Sequence, residues 1–245
     1  MSGNRSSGPA YTGHGDLIGP RAATRSGVAF LTYAFGIMFA GLLVSAFVSA
    51  LVASSAAVQD ASRGLILPIV IGQFALVIAL SAGIRRMSDT VALGAFLVFA
   101  ALEGLMLGLV VSIYLAGAGG AAALTEAFVS ASATFGGAAL YGLVTRRNLD
   151  TLGAYAVMAL FGLIAAMLVN FIFASAMFSY AISVAGVLVF VVLTAWDVQR
   201  IGNGRQTMFA GSVEKGAVYG ALALYLDFVN LFLFFLRIFG GVGRK

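Results

Sequence analysis

Residues 221–240 read ALALYLDFVNLFLFFLRIFG, apolar throughout except for Asp227 and Asn230 in the middle and Arg237 near the end. A helix of about 20 residues rises about 30 Å, the thickness of a bilayer's hydrocarbon core. The stretch therefore reads as a membrane-spanning helix with a carboxylate in its centre. An unpaired carboxylate there costs about 2.5–3.5 kcal/mol on an insertion scale, so Asp227 must face the bundle interior, a water-filled cavity or a partner. Asn230 lies one turn further on, on the same face. A protonated Asp227 that merely hydrogen-bonds to a neighbouring helix is the plainer alternative.

Reading outward from this helix, the rest of the chain has the same character. Of its 245 residues, 61% are hydrophobic and 9% charged, against about 45–50% and 25% in soluble domains, which excludes a soluble enzyme. Seven apolar runs emerge, over approximately 27–53, 64–84, 91–115, 122–144, 151–173, 177–197 and 217–239. The joints are short: Gln59 to Arg63, Arg85 to Asp89, Ala116 to Gly120, Arg146 to Asp150, Ala174 to Ala176, and a longer one from Val198 to Gly216. Short joints make neighbours antiparallel, so the expected fold is an all-α membrane protein, a seven-transmembrane helix bundle.

The expected organisation is a disordered polar cytoplasmic tail over 1–26, the helical domain over 27–240 and a short tail over 241–245. The first apolar run is too long for the core of a signal peptide. Arg5, Arg21, Arg25, Arg85, Arg86, Arg146, Arg147, Arg200, Arg205 and Lys215 fall on one side of the seven spans. Arg63, Arg237, Arg244 and Lys245 fall on the other. The positive-inside rule then places the N-terminus in the cytoplasm and the C-terminus outside. The basic residues thus report topology rather than nucleic-acid binding.

With no cysteine, and with His14 in the tail as the sole histidine, chemistry that needs thiolates, zinc or imidazole has no residues to use. The carboxylates inside or at the edges of spans are Glu103, Glu126, Asp197 and Asp227. Glu126 can reach the interface and reads as a solvated end residue. Asp197 sits in LTAWDVQRI, between Thr194 and Arg200, and taken alone reads as an ordinary edge pair with Arg200. Its helix and that of Asp227 are consecutive and antiparallel. Counted from the assigned inner ends, however, Asp227 lies about 15 Å deep and Asp197 only a few Å. Contact requires the sixth helix to run further or the seventh to start later. Glu103, at a depth similar to Asp227, would line a pathway or pair with a buried cation; Arg237 is the most available one but lies ten residues further outward than Asp227, and snorkelling to the outer interface is its simpler reading. Asn170 reads as a helix–helix hydrogen bond.

Several stretches together resemble the Bax inhibitor-1, or transmembrane Bax inhibitor motif, family, and its bacterial members in particular. They are LTAWDVQRI at 193–201, residues 221–240, ATFGGAALYGLVTRRNL at 133–149, ALEGLMLG at 101–108 and IRRMS at 84–88. The resemblance implies a bundle whose last helix is surrounded by the other six. It also implies an aspartate pair between the sixth and seventh helices that senses pH for a calcium leak, and these map onto Asp197 and Asp227. A basic residue from the end of the second helix would stand beside them, Arg85 or Arg86. Trp196 replaces the frequent Tyr, and Val198 the usual Thr.

Two carboxylates close together in a poorly hydrated site share a proton and titrate as a coupled pair, a proton switch that needs no histidine. Deprotonated, they suit calcium, but two aspartates fall short of six to eight oxygens, so the expected calcium is transient cargo and no permanently bound cofactor is expected. The reading is a pH-sensitive calcium leak channel, not an enzyme, in a bacterial inner membrane. Its alternative is a regulator that binds a membrane protease or other integral protein through the tail and through Gly104, Gly108, Gly216 and Gly220. An intramembrane aspartyl protease fits less well, because LYLD lacks the glycines of that motif.

Overall fold

The computed structural model describes residues 20–205 and 210–241. These form α1 (Pro20–Ser54), α2 (Ala56–Gly64), α3 (Ile66–Ala82), a 3-10 turn (Ile84–Arg86), α4 (Asp89–Ala116), α5 (Gly120–Val144), α6 (Asp150–Phe173), α7 (Ala176–Gly202) and α8 (Val213–Gly241). The chain is an integral, multi-pass membrane protein. Six of these helices are long and apolar enough to cross a bilayer, or seven spans if α2 and α3 count as one.

The second span differs from the single helix expected over 64–84. Ser55 caps α2 by accepting from the Val58 amide, and the expected joint at Gln59–Arg63 is instead helical, with an Asp60–Arg63 ion pair on its exposed side. The axis then bends by 68° into α3, where Gly64 precedes the break and Pro68, in the first turn of α3, lacks an amide the helix would leave unpaired anyway. The contacts of α1 with α4 show what this bent pair does. Gly41 meets Phe96, Ser45 meets Ala100, Ser45 and Val48 meet Gly104, and Val52 meets Gly108. Both numbers rise together, so α1 and α4 run parallel, and α2–α3 must carry the chain back between them.

Other boundaries move for the same reason: a polar residue ends an apolar run without ending a helix. Asp197, Gln199 and Arg200 closed the sixth run, yet α7 continues to Gly202 and stops where Gly204 adopts a positive φ of 70°. Ser212 caps α8, its hydroxyl accepting from the Lys215 amide at 3.1 Å, so that helix starts earlier than expected. The helix of α1 begins at Pro20, inside the expected tail; residues 1–19 and 242–245 lie outside the described residues.

The core centres on α8, which packs chiefly on α1, α4, α5 and α7. The expected ring of six helices around it is not found among the described residues: α3 lies mainly on α4 and α6 on α7. Aromatic edges fill the interior: Phe96 and Phe99 meet Tyr225, and Phe128 and Phe135 meet Phe228. Small residues set the closest approaches. A Cβ on Gly108 would lie 2.5 Å from Val52 Cβ, and one on Gly186 would lie 2.5 Å from the Phe234 ring.

Candidate functional site

Polar side chains inside the bundle collect on two faces of α8. Tyr225 and Asp227 are two residues apart, about 200° around a helix, so their side chains diverge.

On one face, α7 and α8 cross where antiparallel packing brings Thr194 and Asp197 to Asp227. Asp227 is 4% exposed. Its carboxyl interacts with the Thr194 hydroxyl and, electrostatically, with Asp197. Its Oδ2 is buried and makes no hydrogen bond among the described residues. Thr194 is fully buried and donates to the Phe190 carbonyl at 2.7 Å. The mismatch in depth is not removed by the longer α7, because α8 also starts earlier; it closes because the two helices do not end at one level. Gly220 lies against Ile201 and Gly186 against Phe234, a register that sets Thr194 opposite Asp227 and Asp197 about one turn away.

The cation that the structure shows beside Asp197 comes from the same helix. Arg200 Nη1 lies 3.9 Å from Asp197 Oδ1, and its guanidinium stacks 4.3 Å over the Trp196 ring. Arg85 and Arg86 sit on the 3-10 turn, where the Arg85 carbonyl accepts from Lys215 Nζ at 3.4 Å. An Arg one turn along the same helix reaches Asp197 without any tertiary requirement, whereas on the 3-10 turn Ile84 is buried and Arg85 and Arg86 are exposed. Asn230 also departs from expectation. Its Nδ2 donates to the Leu226 carbonyl at 2.8 Å within its own helix, so it does not serve Asp227.

On the other face, Tyr225 is fully buried and bonded to Ser45 at 2.6 Å. Ser45 Oγ also lies 2.7 Å from the Ala100 carbonyl and 3.0 Å from that of Gly41. Carbonyls only accept, so the single hydroxyl hydrogen of Ser45 is directed to them and Tyr225 must donate to Ser45. Glu103 is close enough to act on Tyr225 electrostatically, and its Oε2 accepts from Gln73 Nε2 at 2.6 Å. Glu103 thus belongs to a cluster of α1, α3, α4 and α8 that is separate from the aspartates. Arg237 is not its partner: it is exposed, with its guanidinium 5.9 Å from the Phe234 ring. Ser45, Gln73 and Tyr225 carry no charge, and only a count of polar residues inside apolar runs could have marked them.

The basic joints assemble at one end. Trp196 Nε1 donates to Asp150 at 3.1 Å, Arg205 Nη1 contacts both Asp150 oxygens at 2.7 and 2.8 Å, and Gln199 bonds the Leu149 amide and the Arg147 carbonyl. Ser212 donates to Asp89 at 2.9 Å. These contacts tie the α5–α6 and α3–α4 joints to the segment between α7 and α8.

The four glycines named for partner contact are used within the chain. A Cβ on Gly104 would meet Ser45 and Val48 at 2.8 Å, one on Gly108 would meet Val52, and one on Gly220 would meet Ile201 at 3.1 Å. Gly216 is buried. Asn170 accepts from the Ser175 amide at 3.2 Å, closing the α6–α7 turn rather than bridging helices.

Comparison with known proteins agrees with the architecture. The sequence model of a family described as "Inhibitor of apoptosis-promoting Bax1" matches residues 28–244. The inner membrane protein YbhL of Escherichia coli K12 is 40% identical over 230 residues, covering 91% of this chain and 95% of that protein. An uncharacterized protein of Deinococcus radiodurans is 37% identical, covering 85% and 89%. The uncharacterized protein YrjE of Lactococcus lactis is 38% identical, covering 88% and 92%.

Proposed function

The chain belongs to the Bax inhibitor-1 family, and on that premise we propose that it is a pH-sensitive calcium leak channel in which Asp197 and Asp227 share a proton. The observation that carries this reading is Asp227 Oδ2, a carboxylate oxygen in the bundle interior with no hydrogen-bond partner among the described residues. An orphaned polar atom in that position is costly. A proton, a water or a passing cation would each relieve the cost, and exchange among them is what a gated pathway requires.

The side chains divide the work. Asp227 presents the free oxygen, and its carboxyl faces the Thr194 hydroxyl, which, with its hydrogen directed to the Phe190 carbonyl, accepts from Asp227 in the protonated state. Asp197 supplies the second carboxylate, and Arg200 competes for Asp197 with any cation that arrives. Losing or gaining a proton changes the charge between α7 and α8, which biases their packing and so the pathway. Two carboxylates and a hydroxyl give calcium too few oxygens for storage, in keeping with transit. No catalytic or cofactor role is proposed for any residue.

The membrane is taken to be the bacterial inner membrane, the compartment named for the Escherichia coli relative. With the bent α2–α3 pair counted as a crossing, the basic joints face the cytoplasm, the N-terminus lies inside and the C-terminus outside. Fusion of a reporter active only in the cytoplasm to the C-terminus tests this: activity there overturns it.

Calcium flux into liposomes, measured against pH for Asp197→Asn and Asp227→Asn, tests the channel reading. Each variant is expected to lose the pH response. Unchanged flux and pH response in both overturns it. The alternative, a regulator that binds a membrane protease, would have to act through residues other than Gly104, Gly108 and Gly220, which pack against α1 and α7.

A further inference from the structure

Of the six unbroken spans, α6 is the least buried within the bundle, 11% against 50% for α8. It packs on α7, and α5 packs on α7 and α8, while α5 and α6 share no substantial interface. Close contact with α7 is secured by two glycines. A Cβ on Gly142 of α5 would collide with the Ala195 backbone, and one on Gly153 of α6 would collide with the Trp196 ring. With both helices drawn onto the same partner but not onto each other, a cleft of about 260 Å³ opens between them over α7.

The chemistry of the cleft is uniform at its walls and different at its end. The walls are Gly137, Ala138 and Tyr141 of α5, Leu152 of α6, and Val192 and Ala195 of α7, essentially all apolar. Tyr141 and Leu152 are half exposed, so the cleft opens sideways, where hydrocarbon chains lie. Its end is closed by Leu149 in the α5–α6 joint, which also carries Arg146 and Arg147. Both arginines are exposed, and neither forms an ion pair among the described residues. A slot that is apolar along its length and cationic at its membrane-surface end matches a molecule with a hydrocarbon chain and an anionic head.

We propose that this cleft binds an anionic phospholipid, with one acyl chain between α5 and α6 and the phosphate held by Arg146 and Arg147. Neither arginine has a role in the aspartate site, and the binding does not depend on the channel reading.

The chain has a single tryptophan. Trp196 follows Ala195 in the cleft wall and lies against Gly153, next to Leu152. It therefore reports on any chain seated there. The full protein is reconstituted in phosphatidylcholine vesicles in which part of the lipid is replaced by acyl-brominated phosphatidylglycerol or acyl-brominated phosphatidylcholine. Half-maximal quenching of Trp196 is expected at a mole fraction at least about fivefold lower for the anionic lipid, one effective arginine's worth of attraction at the surface. Arg146→Gln with Arg147→Gln is expected to bring the two lipids to parity. Gly137→Leu is expected to weaken quenching by both, because a Cβ at Gly137 points into open space and the side chain fills the cleft without a clash in the fold. Equal quenching by both lipids in the unaltered protein overturns the proposal. So does a preference that survives loss of both arginines, or Gly137→Leu without effect in a variant that remains monodisperse. Native mass spectrometry adds a further decision: one retained phosphatidylglycerol per chain supports it, and a lipid-free dimer lost on Gly137→Leu overturns it.

Discussion

Replacing Ser45 with alanine should destabilise the bundle more than replacing Tyr225 with phenylalanine, although both changes remove the same 2.6 Å hydrogen bond. The asymmetry follows from hydrogen counting. Ser45 Oγ faces the Ala100 and Gly41 carbonyls at 2.7 and 3.0 Å, so Tyr225 is the donor between them. In Ser45→Ala the phenol remains fully buried, hemmed in by Phe96 and Phe99 at ring distances of 5.7 and 5.8 Å, and its O–H has no acceptor. Stranding such a group costs about 1–3 kcal/mol. In Tyr225→Phe the donor vanishes while Ser45 keeps its bonds to the carbonyls, so the loss is closer to the roughly 0.6 kcal/mol average for hydrogen bonds inside membrane proteins. The double variant strands nothing, and Tyr225→Phe should therefore recover about 1 kcal/mol or more of the stability lost in Ser45→Ala. Titration of detergent-solubilised protein with a denaturing detergent, followed by Trp196 fluorescence, gives the four stabilities. Simple additivity of the two single changes, or a double variant less stable than Ser45→Ala, would refute the donor assignment and with it this account of how α1 and α4 hold α8.

Gly153→Leu places a side chain where the Trp196 ring lies and is expected to cost about 1–3 kcal/mol, with a change in tryptophan emission as α6 is displaced from α7; unchanged emission and stability would show that the ring is free to move. Arg205→Gln removes the Asp150 ion pair, but with side chains 46% and 37% exposed the expected change in the same unfolding titration is small and shrinks further in high salt. A larger loss would mean that this pair anchors the segment joining α7 and α8. Cysteines at Thr194 and Asp227, introduced into a chain that has none, are expected to be cross-linked by a short bifunctional reagent within one chain; failure under conditions that retain the fold would contradict the α7–α8 register.

The site was partly legible before the fold. Asp197 and Asp227 stood out because carboxylates within apolar runs are few, and the structure brings them together. Helix ends were read at the last apolar residue, which shortened both α7 and α8, and the mismatch in depth came from placing those ends at one level, whereas the observed register offsets them. Arg85 or Arg86 was expected beside the pair; the cation the structure shows near Asp197 is Arg200, already visible one turn away. Arg237 is exposed, as its snorkelling reading had it, and Glu103 meets Gln73 and Tyr225, residues whose lack of charge left them unmarked.

What the sequence determined by itself is the solvent and the scarcity of charge. Runs of about 20 apolar residues admit only a lipid-embedded helical chain, because backbone groups must be satisfied internally there. It could not determine which side of each helix faces inward. In water, an apolar stripe marks the packed face; in a bilayer, lipid and core are equally apolar, and the stripe disappears. Tertiary packing alone decided that Tyr225 and Asp227, two residues apart, look to different neighbours, that the glycines of α4 serve α1, and that α5 and α6 both rest on α7 with a cleft between them.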